Sequence, residues 1–460
     1  MLILGLIQFW IKPFFFGGQI MNDKIKSFFS TTGAKPFIIV LLLLLFLIPI
    51  NFIDSLMHDR LNYQKQAVNS ILQPLGGNLE IQGIVIALPF NEIVEKLEGD
   101  KVIKQEVKNY VLLTPENFDI SGNVETNYLT RGIYKVPVFN GSFSFECSFD
   151  PKNFYTDMYF DKNYILEQGV VILGISNKKN LTKLPELHCD NLVLNQLSVE
   201  LENASPFKKS IYYKLPKEFF TKEFSIKGTM NVQGGELVKL QPIATNNTFK
   251  IFSPWKSPSF SGGWLPIQRN ISENGFSAEW NIPGMTTNFP KTWISDSMCM
   301  SEFVQISFIT PVDSYQKAFR SIKYALLFLL VPFLAIFICE IFTKLKIHPV
   351  QYCLLGLADV LFYLLLLSFS EHISFGLSYF LASFAVTLAT FFYASSIFKK
   401  IKWGFMIGCV QIVSYILLFG TLQAEDYALL IGSVGLFVIV VLLMILTRKI
   451  DWYEINDRIK

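Results

Sequence analysis

At 460 residues, 51% hydrophobic and only 17% charged, with a mean hydropathy of +0.38, the chain does not have the composition of a soluble multidomain enzyme. Forty Lys and Arg against 37 Asp and Glu leave a net charge of +3, far short of the basic excess that wraps a polyphosphate, so nucleic acid is not an expected partner. The 44 Phe pool with Leu and Ile into runs near the length that crosses a bilayer as a helix, which makes lipid the expected surrounding.

In chain order, residues 1–36 read as a cytoplasmic N-terminal segment. Its first twenty residues are apolar but broken by Lys12, Pro13 and Gly17-Gly18. Met21-Asn22-Asp23-Lys24 would serve as a start, so Met1 and Met21 both stand as the beginning, the latter making 1–20 a mis-called extension. The first span is 37–53, an almost unbroken Phe/Ile/Val/Leu run preceded by Lys24, Lys26 and Lys35 and followed by Asp54, Asp59 and Arg60. It leaves through Ile50-Asn51-Phe52-Ile53 without the small-x-small exit of a cleaved signal peptide, and is read as a retained anchor.

From 54 to 323 the pattern changes to short alternating runs bounded by Gly, Pro and Asn, which predicts one long β-rich extramembrane domain. Phe143, Phe145, Cys147 and Phe149 alternate, as do Leu197, Val199 and Leu201, then Phe224, Ile226, Gly228, Met230 and Val232, then Val304, Ile306 and Phe308. Asn140-Gly141 between two runs predicts a two-residue hairpin that pairs 134–139 with 142–149 and sets Val136 beside Phe145, because Asn-Gly readily supplies the positive φ such a turn needs. Pro137 speaks for an edge or a bulge there, having no N–H to give. Asn274-Gly275, followed by Phe276, Ala278, Trp280 and Ile282, is a second hairpin signal.

Apolar runs return at 324–342, 350–369, 375–393, 403–422 and 427–446, and 447–460 is left as a tail. Their charges are sorted. Lys344 and Lys346 follow the first run, Lys399, Lys400 and Lys402 the third, and Arg448 and Lys449 the fifth, whereas the other loops hold Glu371, Glu425 and Asp426. Lys and Arg stay on the cytoplasmic side, so both termini are expected inside and the β domain outside, with Trp403 and Trp452 at interface depth. The fold class expected is therefore a membrane protein with one N-terminal transmembrane helix, a β-rich periplasmic domain and a C-terminal bundle of five transmembrane helices.

Several segments carry a family resemblance: Pro311-Val312-Asp313-x-Tyr315 running into Arg320-Ser321-x-Lys323-Tyr324, His348-Pro349-Val350-Gln351-Tyr352, Phe362-Tyr363-Leu364 leading to Ser370-Glu371-His372, Glu425-Asp426-Tyr427-Ala428-Leu429-Leu430, and Thr447-Arg448-Lys449-Ile450-Asp451-Trp452-Tyr453. With Arg131-Gly132-Ile133-Tyr134-x-Val136-Pro137-Val138 and Gly275-Phe276-Ser277-Ala278 in the outer domain, the chain resembles the CreD family of bacterial inner-membrane proteins from about Lys24 to Tyr453. The resemblance implies a role known by phenotype: membership of a sensor-kinase regulon, envelope integrity, and the response to β-lactams or colicins. It brings no catalytic residue, and Glu371-His372 is expected to be a polar turn.

Enzyme motifs are weak. Ser-x-x-Lys, in which Lys helps deprotonate a nucleophilic Ser, starts at Ser176, Ser205, Ser253, Ser314 and Ser396 without its companion motifs. Gly-x-Ser-x-Gly, His-Glu-x-x-His and Gly-x4-Gly-Lys do not occur. His58, His188, His348 and His372 are dispersed, and His188-Cys189-Asp190 cannot close on one ion because neighbours on a strand point to opposite faces. Cys147, Cys189 and Cys299 allow at most one disulfide in the outer domain, while Cys339, Cys353 and Cys409 read as small packing residues. Gly404-x-x-x-Gly408 predicts close helix packing within the bundle, and Glu340 a snorkelling pair with Lys344.

No catalytic residue, cofactor or metal is therefore expected. The working function is a non-enzymatic one in envelope integrity or envelope stress response, with other envelope proteins as partners besides lipid; the alternative is a transporter or flippase for an envelope component. The candidate site is an intramembrane polar pair, Asp359 and Gln411. Both lie at similar distance from the inner ends of spans that start on the same side, and an ionised carboxylate at mid-span costs about 2.5–3.5 kcal/mol, so Asp359 needs a partner. A neutral acid hydrogen-bonded between helices is favoured over a relay, because no second acid or His lies at that depth.

Overall fold

The computed structural model describes residues 35–98, 101–155, 163–198, 201, 204–287, 289–294, 302–308, 314–343, 345–424 and 428–448. Met1, Met21, Lys24, Cys299, Lys344, Glu425, Lys449, Trp452 and most of the expected N-terminal segment and tail lie outside them. The chain divides into two compact units, Met1–Asn62 with Val312–Lys460, and Tyr63–Pro311.

Helix α1, Lys35–Leu72, contains the expected span and continues well past it. Nothing after Asp54 stops a helix until Pro74 and Gly76-Gly77, where Gly77 N–H closes on the Leu72 carbonyl at 2.8 Å. The expected β domain thus begins with helix.

The second unit is built from β1 (Leu79–Glu98), β2 (Lys101–Leu113), β3 (Asn117–Arg131), β4 (Tyr134–Phe149), β5 (Val170–Ile175) and β6 (Glu186–Cys189). There follow β7 (Leu192–Val193), β8 (Gln196–Leu197), β9 (Lys209–Lys214), β10 (Phe224–Gly235), β11 (Leu237–Leu240) and β12 (Asn246–Ser253). It closes with β13 (Pro258–Gly262), β14 (Gln268–Ser272), β15 (Gly275–Pro283), β16 (Thr292–Ile294) and β17 (Val304–Phe308). One sheet runs β13-β17-β11-β1-β5-β9-β8, with β2 on β1 and β16 on β2; the other runs β14-β15-β12-β3-β4-β10-β6-β7. Pairs β1–β11 and β3–β12 are parallel. The two inner faces share one apolar core, seen where Phe139 meets Phe308 and Phe260 meets Trp280 across the layers. Beyond Phe90, β1 is bonded to β2 alone among the described residues, out to Glu98↔Lys101, so this hairpin stands clear of the sheet.

The expected turn at Asn140-Gly141 is overturned. β4 runs straight through it, paired along its length with β3 and from Val138 onward with β10, so Val136 and Phe145 lie on one strand and Val136 faces Leu129. Period two explains why. Phe139, Gly141, Phe143, Phe145, Cys147 and Phe149 form one unbroken inward series, and Asn140, Ser142, Ser144 and Glu146 are its exposed outward series. The turn sits instead at Gly132-Ile133, between Arg131↔Tyr134, where Gly132 holds φ +62 at the first loop position. The β10 ladder stops at Val138, so Pro137 is not asked for an N–H on that side. On the opposite face Val136 and Val138 pack under Leu72 at the end of α1, with Val68, Ile71 and Leu75 around them. At the second signal, β14 and β15 do form a hairpin through Glu273-Asn274, one residue earlier than the Asn-Gly pair, with Phe276, Ala278, Trp280 and Ile282 inward. Of the expected strand at Leu197, Val199 and Leu201, Leu197 is in β8, Leu201 is outside any strand, and Val199 lies outside the described residues.

The first unit comprises the membrane stretch of α1 and α2 (Ser314–Lys323), α3 (Ala325–Thr343), α4 (Pro349–Ser370), α5 (Phe375–Phe398), α6 (Ile401–Gln423) and α7 (Ala428–Thr447). Helices α1, α3, α4, α5 and α6 are each long and apolar enough to cross a membrane, and α7 is a further apolar helix of 20 residues. Helix α2 was expected as part of the β domain. Its buried face of Ala318, Ser321 and Ile322, at spacings of three and four, makes it an amphipathic helix. Helix α6 packs against α2, α3, α5 and α7 and is the centre of the bundle.

Candidate functional site

Helices α4 and α6 run in the same direction because α5 returns the chain between them. Asp359 stands ten residues past Pro349, which opens α4, and Gln411 ten residues past Ile401, which opens α6. Equal rise brings them level. Gln411 Nε2 donates to Asp359 Oδ1 at 2.5 Å, and the two residues are 1% and 6% exposed. Gln411 Nε2 also lies 3.4 Å from the Tyr415 hydroxyl, which stands beside the pair. One layer out, the Tyr379 hydroxyl donates to the Tyr415 carbonyl at 2.7 Å, and Phe362 is ringed by Tyr363, Tyr379 and Tyr415. Beside the pair is a space of about 10 Å³, bounded also by Phe328, Leu329, Pro332, Tyr363 and Ser414. That is room for about one water.

The tyrosines were not singled out in the sequence, yet a signal exists: Asp359 and Tyr363, like Gln411 and Tyr415, are one helical turn apart, so each polar residue repeats on its own face. Chemically the arrangement can hold an acid and orient an amide.

The other candidates are dispersed. Ser176 donates to the Asn78 carbonyl, Ser205 shares a hydrogen bond with Ser210, and Ser253 accepts from Trp255 N–H, so these Ser-x-x-Lys hydroxyls serve local backbone and side-chain bonds. In β6, Cys189 points inward while His188 and Asp190 are exposed, and Asp190 accepts from Ser225 N–H. Among the described residues no group of three or more His, Cys, Asp and Glu converges. Cys147 and Cys189 both face Ile226, from opposite sides of β10, so about two strand spacings separate them, beyond disulfide reach. Burial pushes the Cys147 thiol well up and that of Cys189 up to about 12, which keeps both in the unreactive thiol form. A side chain at Gly404 would meet the Phe391 carbonyl at 2.7 Å, so the small-residue face is turned to α5 within the bundle.

The family model for the inner membrane protein CreD matches residues 31–453. The chain belongs to the CreD family. It is 28% identical over 419 residues to the inner membrane protein CreD of Escherichia coli (strain K12), covering 90% of this chain and 92% of that one. Two of the segments that resemble CreD fix connections within the bundle. In His348-Pro349-Val350-Gln351-Tyr352, His348 Nδ1 accepts from Val350 N–H, Gln351 Oε1 accepts from His348 N–H, and Pro349 begins α4. Tyr352 then donates to Glu340 Oε2 at 2.8 Å, while Glu340 Oε1 accepts Ile347 N–H at 2.9 Å. Glu340 is 3% exposed and ties the α3–α4 connection, while its expected partner Lys344 lies outside the described residues. At the far end of α4, Glu371 lies 3.3 Å from Arg60 of α1.

Proposed function

We propose that this CreD-family chain is a multi-pass inner-membrane protein with both termini cytoplasmic and its β sandwich in the periplasm, and that it supports envelope integrity or the envelope stress response, including that to β-lactams or colicins, without a catalytic step. The orientation is carried by the sorting of charge: Lys399, Lys400 and Lys402 crowd the α5–α6 turn and Arg448 follows α7, whereas Glu371 marks the opposite end of α4. Reporters at Asn140 and Glu425 are expected to read periplasmic and one at Lys400 cytoplasmic; a cytoplasmic signal at Asn140 overturns the orientation.

The envelope role draws its support from family membership. Lipid is the immediate surrounding, and partners are other envelope proteins. Transport of an envelope component would need a polar passage, and the space for about one water at Asp359 favours the non-transport reading. A strain lacking the chain is expected to be more sensitive to detergent and β-lactam, and the full chain to restore resistance. Unchanged sensitivity together with accumulation of an envelope precursor would instead support the transporter.

A further inference from the structure

We propose that the polar space between α3, α4 and α6 is a binding site for one small monovalent cation, a proton or a sodium ion, with Asp359 as its charged ligand. The first ground is charge. Asp359 lies in a helix that must cross hydrocarbon, where an ionised carboxylate is costly. Gln411 donates to it and Tyr415 lines the same space, neutral groups both. Around it α3 offers Phe328, Leu329 and Pro332, α4 offers Tyr363, and α6 offers Ser414. The titratable groups facing it are accordingly Tyr363 and Tyr415, with Tyr379 of α5 behind them, and among the described residues no Lys, Arg or His lines the space. Among the described residues no side chain supplies the compensating positive charge, and a bound cation would.

The second ground is unused oxygen. Gln411 Oε1 is buried without a hydrogen-bond partner, although its own Nε2 is engaged by Asp359. Across the space, Pro332 has no N–H to offer the Phe328 carbonyl four residues back, so α3 contributes a weakened stretch of ladder at this depth. A carboxylate and an amide oxygen beside a water-sized space are hard oxygen ligands suited to a small cation. A sodium ion would sit in the space itself. A proton would sit on the carboxyl, with the Gln411 amide turned over so that Oε1 accepts it; either occupant satisfies the orphan oxygen and cancels the charge. Among the described residues no second acid or His lines the space, so the cation is held there rather than passed on.

The test is labelling of the purified full chain by dicyclohexylcarbodiimide, which adds to protonated carboxyls in apolar surroundings, read at Asp359 by mass spectrometry across pH with sodium or choline chloride. Labelling is expected to fall with rising pH, about tenfold per pH unit once the carboxyl ionises. Protection by sodium, absent in choline, identifies sodium as the occupant; pH dependence without sodium protection identifies the proton. Labelling that is absent, or flat against both pH and sodium, overturns the proposal. As a second reading, the unfolding temperature of the wild type should rise with the bound cation and that of Asp359→Asn should not, since a ligand that binds only the folded state stabilises it. Gln411→Leu, which removes Oε1 but keeps an apolar volume in place, should blunt both responses; equal responses in wild type and Gln411→Leu would also count against the site.

Discussion

The sandwich and the bundle bury amides in opposite ways. Asn247 sits in the sandwich with every polar atom used on backbone: its Oδ1 accepts Ala244 N–H, and its Nδ2 donates to the Ala244 and Ile282 carbonyls. Asn180 gives both amide hydrogens to backbone, the Leu75 and Gln233 carbonyls, while its Oδ1 accepts from the Ser176 hydroxyl. In the bundle, Gln411 meets side chains and keeps one oxygen unpartnered. The difference follows from the secondary structure. Loops and strand ends leave backbone groups that a buried Asn can satisfy, whereas a membrane helix satisfies its own backbone and leaves a buried side chain to find others of its kind.

The largest expected effect tests that contrast directly. Asn247→Ala strands one N–H and two carbonyls and should cost about 3 kcal/mol, whereas Gln411→Leu should cost about 1 kcal/mol or less; unfolding of the full chain in denaturant measures both, and equal losses would break the comparison. Next, Gly404→Leu forces a side chain onto the Phe391 backbone and should destabilise the bundle by about 1–3 kcal/mol. Gly408→Ala, whose added carbon would meet Phe391 at 3.8 Å, should stay within about 0.5 kcal/mol.

A smaller effect belongs to the sandwich. Burial alone would raise the Glu116 carboxyl, but the hydrogen bond and charge of Lys291, with Thr245 and Asn153, bring it below its usual value. Its contribution is therefore present above the usual carboxylate range, about pH 4.3, and is lost as pH falls through the lowered value. Partly exposed, it should amount to under about 1 kcal/mol, so acid unfolding of Glu116→Gln should show a slightly shallower loss than wild type. Smallest is Arg60→Ala at the α1–α4 ion pair, where half-exposure of the arginine limits the cost to about 0.5 kcal/mol and added salt should erase it.

The helices of the bundle were legible because lipid demands long apolar runs: observed ends at Ala325, Pro349, Phe375 and Ala428 fall within two residues of those expected. The level of Asp359 and Gln411 could be read from rise alone, since parallel helices convert sequence distance into depth; their adjacency could not. The sandwich was legible as strands and not as turns. Asn140-Gly141 has turn chemistry, yet the alternation running through it outweighed that local preference, and the actual turn used a Gly-Ile pair without a strong dipeptide signature. The extension of α1 to Leu72 was hidden because its polar residues resemble a loop until one asks what would stop the helix.

The β1–β2 hairpin carries its own consequence. From Asn91 to Glu98 it is a ribbon of two strands, reaching about 25 Å beyond the sheet. Each outer edge presents main-chain donors and acceptors in register, a ready template for another chain. The segment that forms it holds Glu92, Glu95, Lys96, Glu98, Lys101, Lys104, Glu106 and Lys108, and such a density of charge opposes strand-by-strand growth. Replacing these positions with Val or Thr would leave the pairing intact and turn the ribbon into a seed for self-association.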